Sequence, residues 1–269
     1  MQGKILNKEN ISRDSLIIFI FAIFFVLPHA LAEILFGGET PKTIWYIRII
    51  DLVDITVMTI VYISFFMYLQ IIVVEKTNQY LLKLYQVFFL LFIGAHFMHF
   101  ATNAVNTYAY EVMNYTAGKE IPQDVASLLY FLDEELSHYI MFSSLFAMWL
   151  IVIIARFITK APSFPEKRPL AERIVIFLSV IIFGAVFTIS AIEARKAYFV
   201  IGLEVIVIIL MLFISYIVTT EKIFIKIRKD PIIQVMLFSI IFSLLFFLAY
   251  YLYFGGFIEP SEILRGHTY

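Results

Sequence analysis

The stretch Gly94 to Asn106, GAHFMHFATNAVN, puts His96, His99, Asn103 and Asn106 at the end of an otherwise apolar run. Further on, LDEELSHYIMF adds Asp133, Glu134, Glu135 and His138. Imidazole nitrogens and carboxylate oxygens are the ligands that zinc takes in catalytic sites, three from the protein and one from water. On a helix, residues three and four apart share a face, so His96, His99, Asn103 and Asn106 form one stripe. His138 falls on the face of Glu134 and Glu135, and at 100° per residue Asp133 points well away. His96, His99 and His138 are therefore expected to ligate one metal, with Glu134 or Glu135 as general base.

A ligating histidine passes its other N–H to a carboxylate or carbonyl, a role open to His29, Glu33, Asp51, Asp54 and Asn103 as second-shell groups or alternative ligands. His29 and Glu33 are spaced i,i+4, and Asp51 and Asp54 i,i+3. Glu135 to His138 also spells Glu-x-x-His, the helix motif of di-iron carboxylate bundles, but in a single copy. Iron is thus the alternative metal and an oxidase or oxygenase the alternative chemistry.

These residues need elements to hold them, and composition says which. The chain of 269 residues is 62% hydrophobic and 17% aromatic, with a mean hydropathy of +0.91. That lies beyond soluble composition and indicates a polytopic, all-α membrane protein. Seven apolar segments are long enough to span a bilayer: Leu16 to Phe36, Ile49 to Val74, Leu84 to Thr107, Ala126 to Ala155, Ile174 to Ile192, Tyr198 to Val218 and Pro231 to Phe254. They read as one seven-helix domain over residues 1–269. Cysteine is absent, which excludes disulfides and thiol chemistry. The balance of 20 Lys and Arg against 21 Asp and Glu, with no basic stripe, excludes a nucleic-acid partner.

Connections alternate between the two sides of the membrane. The side of the N-terminus collects 14 Lys and Arg and the other side 6, so the N-terminus is expected in the cytoplasm and the C-terminus outside. The cell membrane is the expected location. The sequon Asn114-Tyr115-Thr116 then falls in an outer loop. Placed on their spans, His29, Glu33, Asp51, Asp54, His96, His99, Asn103, Asp133, Glu134, Glu135 and His138 all occupy the outer half. The inner halves look nearly bare, with Gln70 and Gln86 as the main polar groups. Glu193, Arg195 and Lys196 read as interfacial charges in a short turn.

The arrangement is similar in architecture to the seven-span intramembrane zinc hydrolases of the alkaline-ceramidase and adiponectin-receptor type, which also combine histidines with carboxylates. Their His-x-x-x-His pair in the last span has no counterpart in Pro231 to Phe254. A retinal protein is excluded, because that span also has no lysine. The expectation is a metal-dependent membrane hydrolase, with zinc as cofactor and a lipid-borne or amphiphilic substrate met among the membrane lipids. A metal or proton transporter, or a metal-binding receptor or subunit, are the other classes considered. The apolar inner half argues against transport.

Overall fold

The structure is a computed structural model. It describes residues 11–36, 43–44, 47–107, 122–159, 168–217, 225, 227–260 and 263, without the side chains of His29, Ala32, Glu33, Phe36, Thr43, Ile44, Ile47, Asn106, Thr107, Ser215 and Tyr216. The sequon at Asn114 lies outside the described residues.

Apart from a two-residue antiparallel β-ladder, Thr43–Ile44 with Ile47–Arg48, the long elements are helices. They are α1 (Arg13–Phe36), α2 (Ile49–Lys76), α3 (Gln79–Thr107), α4 (Gln123–Ile158), α5 (Leu170–Glu193), α6 (Ala197–Ile217) and α7 (Pro231–Phe254). Six of them, α2 to α7, are long and apolar enough to cross a membrane. The fold is thus an all-helical membrane bundle.

Local chemistry fixes the helix ends. Asp230 caps α7 by accepting from the N–H groups of Ile232 and Ile233 at 2.9 and 3.3 Å, and Pro231 takes the first helical position, where no N–H is needed. Gly255 ends α7 in the left-handed conformation at φ 71°. Two helices are locally unwound into π-turns, Asp54–Met58 in α2 and Phe131–Ser137 in α4.

The core is aromatic. Phe65 of α2 stacks on Phe183 of α5 at 5.6 Å, and Trp149 of α4 meets Phe183 and Phe187 edge-on at 5.7 and 5.3 Å. The Trp149 indole N–H reaches across to the Met236 carbonyl of α7 at 3.0 Å, so a buried polar handle is satisfied. Gly184 lets α5 and α7 approach closely: a Cβ there would sit 2.7 Å from Phe242 Cδ1 and 2.9 Å from the Ser239 carbonyl.

The end of the bundle opposite the histidines is not bare, which corrects the sequence reading. Arg156, at the close of α4, is buried and pairs through Nε with Asp230 at 2.8 Å, with Asp14 at 4.0 Å from Nη2. Asp14 accepts from the Tyr68 hydroxyl at 2.9 Å, and Ser15 donates to buried Glu172 at 2.9 Å. These charges lie at helix ends, where sequence alone reads them as solvated loop residues. Their partners come from other helices, so the packing that buries them also neutralises them.

Candidate functional site

The two π-turns hold the candidate site. A π-turn bonds residues five apart, so it leaves carbonyls displaced and changes which side chains share a face. In α4 it brings Asp133 onto the face of His138, five residues on. Regular α-helical winding would set the two about 140° apart. The expectation that Asp133 points away is therefore corrected. Asp133 Oδ1 lies 2.6 Å from His99 Nδ1 of α3, off the ideal hydrogen-bond line, and only 5% of the Asp133 side chain is exposed. The Ser137 hydroxyl bonds back to the Asp133 carbonyl freed by the turn.

His138 joins this pair. Its ring centre is 4.7 Å from that of His99 at an interplanar angle of 59°, and its Nδ1 is 3.0 Å from the Glu134 carbonyl. Both imidazoles are thus fixed through Nδ1, His99 by a carboxylate and His138 by a backbone oxygen. That is how metal-ligating and proton-transferring histidines are oriented, with Nε2 left for the chemistry.

His96 is placed elsewhere. Its Nε2 is 3.1 Å from the Asp54 carbonyl, released by the π-turn of α2, and its ring packs edge-on against Tyr62 at 5.1 Å. The Thr59 hydroxyl, five residues beyond Asp54, reaches the same carbonyl at 3.4 Å. His96 is one turn from His99 along the same helical stripe, but it faces α2 while His99 faces α4. The three-histidine set is not gathered, and among the described residues no group of three His, Asp or Glu side chains is arranged to hold a metal ion.

The remaining candidates divide in the same way. Asp51 receives both Arg48 nitrogens at 2.9 Å and the Asn103 amide at 3.1 Å, a clasp between α2 and α3. It is committed to structure rather than to a histidine. Glu135 pairs with Lys196 at 3.0 Å; Lys196 is buried and lies over the Tyr139 ring at 5.2 Å. Lys196 is therefore a tie between α4 and the start of α6, not the interfacial charge the sequence implied. The Glu-x-x-His reading loses its carboxylate to that tie. Glu134 has an oxygen 3.9 Å from His138 Nδ1 and a side chain 37% exposed, so it is both near and reachable. The His29 and Glu33 side chains lie outside the described residues.

Two cavities, of about 630 and 500 Å³, lie at the opposite end. The first is lined by Arg168, Arg173, Arg228 and apolar side chains of α5 and α7, the second by Lys76, Arg156 and their neighbours. Neither adjoins the histidine pair. Burial among these groups lowers the pKa of Arg168, whose Nη1 donates to Gln234 at 2.5 Å.

Compared with protein-family models, curated proteins and solved structures, the chain matches none significantly. The functional reading therefore rests on the site itself.

Proposed function

We propose that this is a seven-span membrane enzyme whose working centre is the His99 and His138 pair oriented by Asp133, and that it is a metal-dependent hydrolase. The observation that carries the reading is the contact of a buried carboxylate with His99 Nδ1 at 2.6 Å, beside a second imidazole 4.7 Å away. Two imidazoles on neighbouring helices are nitrogen donors of the kind zinc takes, with oxygen donors or water left to complete the set. His99 and His138 would hold the ion through Nε2, and it would supply a more acidic bound water and polarise a carbonyl.

Glu134 is the general base in this reading. It is the one carboxylate of the π-turn that is neither spent on His99, as Asp133 is, nor on Lys196, as Glu135 is. Zinc suits two imidazoles and oxygen donors; iron is the alternative metal. Helix α1 serves as the first of the seven spans, its 24 residues being long enough for the hydrocarbon core. The positive-inside tendency then puts the N-terminus in the cytoplasm and the histidine pair toward the outside of the cell membrane. The pair is carried by α3 and α4, two of the helices apolar enough to cross a membrane, so the substrate in this reading arrives laterally from the bilayer, as a lipid-borne or amphiphilic molecule would.

The test is hydrolysis of amphiphilic ester and amide probes by purified, zinc-loaded protein in detergent. The reading expects turnover that stops on chelation and returns with zinc. Glu134→Gln is expected to keep the metal and lose activity, and Glu135→Gln to keep both. Full activity in Glu134→Gln, or turnover indifferent to chelation, would refute it.

A further inference from the structure

Glu204 sits in the interior of α6 with no exposed surface, and among the described residues neither of its carboxylate oxygens has a hydrogen-bond partner. It is the only charged residue of that helix. The Ser243 hydroxyl of α7 stands beside it without closing a hydrogen bond. Ser243 Oγ is in turn 2.9 Å from Thr188 Oγ1 of α5, which also reaches the Gly184 and Ser243 carbonyls at 3.0 and 3.2 Å. All three side chains have no exposed surface, and they come from three different helices. A bare carboxylate in hydrocarbon costs several kcal/mol unless it is paired, ligated or neutralised.

The charged and titratable groups around it are few. Helix α7 has no charged residue, only Tyr250, Tyr251 and Tyr253 near its end, and α5 has Glu172 and Arg173 at one end and Glu193 at the other. Helix α4 brings Glu135, His138, Tyr139 and Arg156, of which Glu135 is bound to Lys196 and Arg156 to Asp230. Lys196 precedes Glu204 by eight residues, about 12 Å of helix rise. No cation in this set is placed to neutralise Glu204.

We propose that Glu204, Ser243 and Thr188 form an intramembrane proton-binding site that exchanges its proton with water, separate from the histidine pair. In the neutral state the carboxyl O–H donates to Ser243 Oγ. When that O–H bond breaks, the proton leaves to water. The Ser243 hydroxyl then rotates to donate to the carboxylate, while Thr188 donates to Ser243 Oγ. The hydroxyl pair thus serves both protonation states by rotation alone, which an apolar neighbour could not do.

The experiment is infrared spectroscopy of the full chain in phosphatidylcholine vesicles. The expected result is a protonated-carboxyl band that shifts in D₂O, disappears reversibly as pH is raised and is missing in Glu204→Gln. Ser243→Ala removes the donor to the carboxylate and moves the loss of the band to more alkaline pH by about one unit, a tenfold change. Glu204→Asp retains a titrating band. A band that ignores pH and D₂O overturns the proposal, as does a spectrum unchanged in Glu204→Gln. Loss of the band on adding sodium at fixed pH marks a metal-cation site and overturns it too. Should Glu204→Gln fail to fold, carbodiimide modification of the unaltered protein decides: mass spectrometry finds Glu204 modified at low pH and spared at high pH, and equal modification at both refutes exchange.

Discussion

Asp133→Asn is the substitution that separates an oriented ligand from a merely buried histidine. The carboxylate lies 2.6 Å from His99 Nδ1 and is almost fully buried, so little water competes for that contact. An amide keeps the shape but loses the charge, and it can present N–H where an acceptor is needed. Removing such an outer partner of a ligating histidine typically costs 10–100-fold in metal affinity, about 1.4–2.7 kcal/mol. Burial of this pair favours the upper part of that range. The assay is zinc competition against a chromophoric chelator in detergent, with Asp51→Asn measured alongside. Asp51 serves Arg48 and Asn103, so its variant is expected to lose stability and keep its zinc affinity. Equal affinities for unaltered protein and Asp133→Asn, or equal losses in both variants, would refute the reasoning.

Gly184→Ala is expected to destabilise by about 1–3 kcal/mol, because the new methyl meets the Ser239 carbonyl as well as Phe242 and backbone must move; thermal unfolding in detergent measures it. Asp230→Ala leaves buried Arg156 without its 2.8 Å partner and α7 without its cap, for an expected loss of about 3–5 kcal/mol in the same assay. Replacing both Arg156 and Asp230 by apolar residues should cost less than the single change. For topology, a single cysteine at Lys119 is expected to label with an impermeant reagent on intact cells and one at Lys167 only after permeabilisation.

The membrane spans were legible because hydrocarbon demands long apolar helices, and α2 to α7 stand where the apolar runs stand. The pairing of α3 with α4 through His99 and His138 was legible too, since similar depth on neighbouring antiparallel helices can be read from position. The identity of the carboxylate was not. It depends on the π-turn Phe131–Ser137, and one extra residue per turn has no signature in a hydrophobic pattern. The same applies to His96, whose partner is a backbone carbonyl freed by the π-turn of α2; main-chain acceptors are invisible to a search for side-chain ligands. Arg156, Glu172 and Asp230 escaped for another reason. They lie where apolar runs end, and only the packing of α1, α4, α5 and α7 tells a buried clasp from a solvated loop. Glu204 was visible as a charge near the start of a span, but its lack of a partner was not.

The most direct test of the account is metal content, by mass spectrometry of the purified protein in detergent, across three single variants. His99→Ala and His138→Ala are each expected to fall from about one zinc per chain to near none, while His96→Ala, which loses the contact to the Asp54 carbonyl and the packing on Tyr62, keeps its metal. Full zinc in His99→Ala and His138→Ala, or loss of zinc in folded His96→Ala alone, would contradict it.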